Sequence, residues 1–290
     1  MTIVLLGSTG LLGSTLGPFL SSRGYQVITH SRSQDAQCQA DVSSLSDTYT
    51  MLETIRPEII LNLVGLTDVD LCETNPNLAY LSNVRTVENI SHWMRHSKAA
   101  CHLIHISTDQ VYDSAELHPE ENVTLTNYYG FSKYAGELAA ASVPSTIFRT
   151  NFFGRSRCTN RSSLTDWIFR SLLKLDPIGV FEDVLFSPLA MSTVSEMIEL
   201  SIRKKPIGLF NLGSRNGMNK AEFAFAFADK LSLLTRALKR TTSEEATFLK
   251  AYRPKDMRMN CTKLENALGV ELPTLADEIA AVAEEYYENA

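Results

Sequence analysis

A chain of 290 residues, 44% hydrophobic and carrying a net charge of −6, is long enough for one large domain or two modest ones. The acid excess excludes a general nucleic-acid or membrane-surface role, since either would want a basic face. Its five cysteines (Cys38, Cys72, Cys101, Cys158 and Cys261) have no metal-ligand spacing and read as reduced core residues, and the N-terminal apolar run has neither a charged lead nor the length to span a bilayer, so a cytoplasmic protein with no metal is expected.

The apolar run Ile3 to Leu6 predicts a strand buried on both faces. It ends in Gly7-x-x-Gly10-x-x-Gly13, and a helical pattern follows from about Leu11 to Arg23. Strand, glycine turn and helix together predict a phosphate cradle. Gly7 permits the turn, Gly10 lets the backbone approach a pyrophosphate, and Gly13 lets the helix pack close to the strand. The second predicted strand covers Tyr25 to Thr29, and His30-Ser31-Arg32-Ser33 follows it with no carboxylate before Asp35. A site for NAD would want an acid there, whereas Ser31, Arg32 and Ser33 suit the 2′-phosphate of NADP. NADP(H) is therefore the expected cofactor, with NAD(H) admitted.

A third strand is predicted at Cys38 to Val42, a helix at Leu45 to Arg56, and a fourth, apolar strand from Glu58 running into Gly65. Leu66 to Asn75 reads as a loop, and Pro76 to Ser97 as one long helix with Pro76 at its first position. The fifth strand, His102 to Ile106, runs straight into Ser107-Thr108-Asp109. Hydroxyls and a carboxylate at the carboxyl end of a parallel strand sit where open α/β sheets bind ligands. Next come Tyr129 and Lys133, four apart and so on one helix face. A lysine beside a phenol is expected to lower the phenol's pKa and make it a usable general acid.

The sixth strand, Ser145 to Thr150, completes a Rossmann-type pattern, and Arg155, Arg157 and Arg161 then form a polar arginine loop suited to surface solubility or to a substrate diphosphate. Helices are predicted at Asp166 to Leu175, Met191 to Arg203, Met218 to Lys239 and Leu275 to Tyr287, with a strand at Ile207 to Leu212.

The ordered set GSTGLLG, Asn62 to Gly65, Thr67 to Glu73, Asn83, HISTDQVYD, YYGFSKYAGE, RTNFFG, FSPLAMSTVSEMI, FNLGS and Arg253-Pro254 resembles the extended short-chain dehydrogenase/reductase superfamily. Within it the chain is most similar to the dTDP-4-dehydrorhamnose reductase family, nearly end to end. The resemblance implies an α/β fold, a doubly wound parallel sheet with helices on both faces plus a smaller C-terminal α/β substrate domain. The cofactor domain would be 1–151, with about 190–213 returning to it, and the substrate domain 152–189 and 214–290.

It further implies NADP(H)-dependent reduction of the C4 keto group of a nucleotide-diphospho-4-keto-6-deoxysugar, with Thr108, Tyr129 and Lys133 catalytic. Gly7, Thr9, Gly10, Leu11, Leu12 and Gly13 would hold the pyrophosphate. Ser31 and Arg32 would meet the adenosine ribose, Asp41 and Val42 the adenine, and Leu63, Val64 and Gly65, with Tyr129 and Lys133, the rest of the cofactor. Val69, Thr108, Asp109, Gln110, Phe152 and Arg155 would line the sugar side. Gln110 stands where the related 4,6-dehydratases carry an acid, which it cannot replace as a proton source. The readings left beside the reductase are an epimerase of the same superfamily and a non-catalytic NADP-binding subunit like the methionine adenosyltransferase β subunit. The partners implied are a nucleotide sugar, with no nucleic acid and no membrane, and a homodimer is the assembly admitted.

Overall fold

The computed structural model describes residues 1–32, 36–97, 100–159 and 161–287. Its centre is a seven-stranded, wholly parallel sheet. In chain order its strands are β1 (Thr2–Leu6), β2 (Gln26–Ser31), β3 (Cys38–Gln39), β4 (Ile59–Asn62), β5 (His102–Ile106), β6 (Ser145–Thr150) and, after four short strands described below, β11 (Gly208–Leu212). Across the sheet they stand β11-β6-β5-β4-β1-β2-β3. The order reverses between β1 and β4, so their carboxyl ends open the crevice in which such sheets bind ligands.

Side-chain alternation explains why both faces are covered. Ile3 and Leu5 of β1, with Ile59 and Leu61 of β4, enter one buried cluster; Val4, Leu6 and Ile60 enter another. A strand apolar at every position has no solvent face and must be sandwiched. The helices are α1 (Gly13–Ser22), α2 (Leu45–Ile55), α3 (Val69–Thr74), α4 (Pro76–Tyr80), α5 (Thr86–His96), α6 (Tyr128–Ala140), α7 (Leu164–Lys174), α8 (Met191–Lys204), α9 (Lys220–Lys230), α10 (Thr262–Leu268) and α11 (Leu275–Tyr287). Leu16 and Leu20 of α1 and Val194 and Ile198 of α8 cover the first face. Met51 and Leu52 of α2 and Val87, Ile90 and Trp93 of α5 cover the second.

A separate buried cluster joins Ile168 and Leu172 of α7, Phe223 and Phe227 of α9, and Ile279 and Val282 of α11. It includes Phe153 of β7 (Phe152–Phe153), Ile178 and Val180 of β8 (Ile178–Phe181), Phe186 of β9 (Leu185–Phe186), Ala190 of β10 (Leu189–Ala190) and Leu238 of β13 (Leu238–Thr241). Met218–Asn219 forms β12, antiparallel to β9. Leu264, Leu268 and Leu272 lie in the sheet's own first cluster, so the segment around α10 also returns to the sheet.

Four expectations change. The third strand stops at Gln39 because Asp41 turns the chain, its carboxylate accepting from the Ser43 amide (3.0 Å) and hydroxyl (2.7 Å). The loop after β4 contains α3, capped by Asp68, whose carboxylate accepts from Leu71 N at 2.9 Å. The long helix from Pro76 is interrupted by a π turn at Leu81–Arg85. The helix expected to reach Lys239 ends at Lys230, since Leu238–Thr241 pairs parallel with Ile178–Phe181. Strand pairing there outweighs local helix propensity.

Behind the carboxyl ends of β5 and β6 lies a buried ion pair. Arg149 of β6 and Glu137 of α6 are 1% and 3% exposed, and Arg149 Nη2 donates to Glu137 Oε2 at 2.6 Å while Nε donates to Oε1 at 2.9 Å. Ser107 Oγ also donates to Glu137 Oε1 (2.5 Å), and Arg149 Nη1 donates to Tyr112 Oη and to the Glu120 carbonyl, each at 2.7 Å. Removing one partner leaves the other charge buried and unpaired. Arg149→Met should therefore cost about 3–5 kcal/mol of unfolding free energy, measured by urea denaturation; a loss within ordinary surface values would show that the pair contributes little.

Candidate active site

The glycine turn closes as the sequence predicts. Gly7 has φ +80°, and its carbonyl accepts from Gly10 N at 3.0 Å. A Cβ on Gly13 would stand 2.4 Å from Gly7 O, so only glycine lets α1 begin this close to the turn. The amides of Gly7 and Ser8 are engaged by the His30 carbonyl, which fixes the turn to the end of β2.

Two adjoining cavities meet at this turn. The first, about 570 Å³, is lined by the Gly7 and Gly10–Gly13 cradle, Thr108, Tyr129, Lys133 and Phe152 among others. The second, about 420 Å³, is lined by Thr9, Ser31, Arg32, Asp41, Val42 and Val64 among others. Gly7, Gly10, Leu63, Gly65, Leu66 and Arg161 border both. The residues expected for the reacting end and those expected for the adenosine end therefore fall in separate cavities joined over the cradle. Ser33 and Asp35 lie outside the described residues. Asp41 is held in its own turn by Ser43, a contact that keeps its carboxyl below the usual range, with Arg32 adding to the effect.

Tyr129 and Lys133 owe their position to α6. Asn127 caps that helix, accepting from Gly130 N at 2.8 Å, and Glu73 of α3 accepts from Tyr128 N at 3.1 Å. Tyr129 is 7% exposed and packs with Val69, Cys72, Ala79 and Ala251. Val69 thus supports the tyrosine from behind and is not among the residues lining the first cavity. The arrangement is braced by Asp70, which accepts from Arg253 Nη2 and from the amides of Lys250 and Ala251, each at 2.9 Å.

The electrostatics correct one expectation. Burial pushes the Tyr129 phenol well above its ordinary pKa; the Thr108 hydroxyl, hydrogen-bonded to it, works against that rise, and the Asp109 carboxylate adds to it. Lys133 does not depress it: its ammonium donates to the Ile106 carbonyl at 2.6 Å, beside Gly65. Burial lowers the Lys133 pKa to about 8, against the pull of Glu137. A phenol so placed stays protonated and can serve as a proton donor. Asp109, 1% exposed, accepts from Asn151 Nδ2 at 2.8 Å and is pushed up to about 6 by burial.

Gln110 also lines the first cavity, where its Oε1 is buried without a hydrogen-bond partner. Arg155 does not. Its amide and Nη1 donate to Glu285 Oε2 and O of α11 at 3.0 and 2.8 Å, and its guanidinium lies over the Tyr286 ring. Arg161 and Ser162 occupy the wall instead.

Sequence reasoning missed the role of Asn83. Within the π turn it accepts from Leu66 N at 2.7 Å and donates to Leu66 O and Ser132 Oγ, so it clamps the cavity loop to α6. Its signal was an asparagine inside a helical run, where asparagine has no intrinsic advantage. A further cavity of about 770 Å³ was also missed, lined by Trp167, Phe181, Phe248 and Arg240, with Lys220 on its wall. Lys220 is close enough to Asp109 for the two charges to interact.

The profile of the RmlD substrate binding domain family matches residues 1–288. The chain is 28% identical over 289 residues to the dTDP-4-dehydrorhamnose reductase of Escherichia coli K12, covering 94% of each chain. A solved dTDP-4-dehydrorhamnose reductase from Bacillus anthracis, in complex with NADP, superposes with a TM-score of 0.88 at 22% identity, covering 98% of this chain and 99% of that one. A UDP-glucose 4-epimerase from Thermus thermophilus, complexed with NAD, gives 0.85 at 16% identity over the whole of both chains. These two structures speak for the fold.

Asp109 gives the site a pH signature. Its ordinary value is 3.8 and its folded value about 6, so the folded state holds the proton more tightly. The stabilisation is complete below about pH 4 and is lost as pH rises through about 6, a change on the order of 3 kcal/mol. In urea unfolding across that range, the stability of the wild type relative to Asp109→Asn should fall with rising pH. A difference that is flat with pH would place Asp109 at its ordinary value.

Proposed function

The chain belongs to the RmlD substrate binding domain family, and from that premise we propose that it is an oxidoreductase, an NADP(H)-dependent reductase of the C4 keto group of a nucleotide-diphospho-4-keto-6-deoxysugar. The observation that carries the reading is the convergence of Thr108, Tyr129 and Lys133 on one cavity that opens onto the glycine cradle. The cradle fits a dinucleotide: Gly7 and Gly10 leave its floor free of side chains, and two cavities lie on either side of it. Gly7 to Gly13 would hold the pyrophosphate, Ser31 and Arg32 the phosphorylated ribose, and Lys133 the nicotinamide ribose. When bound, the nicotinamide supplies the hydride for the carbonyl carbon.

The chain's own residues do the rest. The buried, protonated Tyr129 gives its proton to the carbonyl oxygen, and the Thr108 hydroxyl orients that oxygen towards it. The positive Lys133 beside Gly65 favours the phenolate left behind once it is free of the Ile106 carbonyl. Gln110 and Phe152 border the sugar. The cavity walled by Trp167, Phe181 and Phe248, with Lys220 and Arg240, offers aromatic faces for a base and cations for a diphosphate. We assign 1–151 with about 190–213 to cofactor binding and 152–189 with 214–290 to the substrate, except that the segment around α10 packs with the cofactor domain's sheet. Among the described residues no helix is long and apolar enough to cross a membrane.

The direct test is NADPH oxidation with a dTDP-linked 4-keto-6-deoxysugar. Consumption matched by 4-hydroxy product supports the reductase. Epimerised keto-sugar with no net NADPH loss would favour an epimerase, and tight NADPH binding without turnover a regulatory subunit. Tyr129→Phe removes only the hydroxyl, so NADPH should still bind while kcat falls by about 10²–10⁴-fold. Wild-type turnover in that variant would remove Tyr129 from the mechanism.

Cofactor choice rests on Arg32, exposed at the rim of the adenosine cavity. A charge-assisted contact to the 2′-phosphate is worth roughly ten- to a hundredfold in affinity. Arg32→Asp should lower NADPH affinity by about that factor and leave NADH unchanged or improved, in fluorescence titrations of the apo-protein. A variant that keeps the wild-type preference would make Arg32 a solvated loop residue.

A further inference from the structure

The three arginines of the loop between β7 and α7 do not act together. Arg155 is committed to Glu285 and Tyr286, and the charge of Arg157 also bears on Glu285. Arg161 turns the other way. It borders both the reacting and the adenosine cavities, and among the described residues it is the one charged residue that borders both. Among the described residues no carboxylate forms a salt bridge with its guanidinium.

The loop is held down where Arg161 needs it. Ser156 N and Ser163 N both donate to Asp166 Oδ2, at 3.1 and 2.9 Å, closing the two ends on the start of α7. Ser156 Oγ donates to the Arg161 carbonyl at 2.6 Å. Between these points Cys158 reaches the glycine turn itself: its Sγ donates to the Thr9 carbonyl at 3.3 Å and lies 3.2 Å from Ser14 Oγ. The loop is therefore a strap laid across the cradle, latched to residues on both sides of it.

Charge identifies what lies beneath. The residues shared by the two cavities are glycines, leucines and Arg161. The start of α1 offers backbone N–H groups to an anion but no full positive charge. We propose that Arg161 supplies that charge, pairing across the cradle with the pyrophosphate of the dinucleotide rather than with the diphosphate of the sugar nucleotide. The strap then closes over the cofactor, and the substrate's diphosphate is left to cations elsewhere. This rests on the dinucleotide reading of the cleft and extends it to a second, opposite wall.

The test is a cofactor titration without substrate. Arg161 is exposed on a loop, so Arg161→Gln and Arg161→Lys should both fold. For Arg161→Gln the NADPH dissociation constant should rise about tenfold, the scale of one charge-assisted contact in a partly open site. Arg161→Lys should recover part of that loss. Adenosine 2′-monophosphate, which has the ribose phosphate but no pyrophosphate, should bind the variant and the wild type alike, whereas Arg32→Gln should weaken both ligands. NADPH binding to Arg161→Gln at wild-type affinity would overturn the proposal, as would a loss confined to the KM of the nucleotide sugar. A wild type that binds NADPH but reduces no 4-keto sugar would sink the reductase reading and leave the strap assignment standing.

Discussion

The geometry of the proposed catalytic residues hangs on the ion pair between Glu137 and Arg149. Glu137 lies one helical turn beyond Lys133 and two beyond Tyr129, so fixing its carboxylate fixes the axial position and rotation of α6. Its partners come from elements that end at the site, Ser107 from the end of β5 and Arg149 from β6, and Arg149 is held in turn by Tyr112 and the Glu120 carbonyl from the chain that follows Asp109. A buried charge pair is no gain in stability over well-packed apolar groups, because both ions lose their water. Its return here is specificity. An apolar contact would tolerate a small slide of the helix, whereas the fork of a guanidinium on a carboxylate does not.

The site keeps its acids and bases at unusual set points by the same means. The carboxylate that bears on the phenol is Asp109, itself biased towards its neutral form by burial. Its partners are the neutral amide of Asn151, the Thr108 hydroxyl and the charge of Lys220. Burial also keeps His105 neutral, its Nδ1 facing the Asn62 amide 3.1 Å away. The pocket thus holds the Tyr129 phenol in its neutral form, as the proposed proton donor must be. That division of labour suits a reaction in which the proton is wanted only when the hydride arrives.

Much of this was legible in the sequence where the information is local. A strand apolar at every position, three glycines at fixed spacing and a tyrosine four residues before a lysine each dictate their geometry within one or two turns of chain, and the sheet, the cradle and the α6 face follow. The caps at Asn127 and Ser163 are equally local, though the sequence reading did not single them out. What escaped depends on partners far along the chain. Nothing near Arg155 announces Glu285, and nothing in the arginine loop says that Arg161 alone would turn to the cleft. The strand at Leu238–Thr241 exists because Ile178–Phe181 lies beside it. The set point of Tyr129 followed from Val69, Cys72, Ala79 and Ala251 closing round it, a property of packing that a four-residue spacing cannot carry.

The reach of the buried network also has a bearing on how the chain can be assembled. Glu137 and Arg149 are twelve residues apart and can meet as soon as β6 forms, but the outer members of the network wait for β11. Tyr112 donates to Asn211 Oδ1 at 2.7 Å, and the Glu120 carboxylate accepts from Asn211 N at 2.9 Å. During synthesis, therefore, a chain that has emerged only to the end of β6 holds the Arg149–Glu137 ion pair with its sheet edge still open. The apolar face that α8 will cover is exposed as well. The sheet edge beside β6 thus stays open until β11, ending at Leu212, has emerged, well after Thr108, Tyr129 and Lys133.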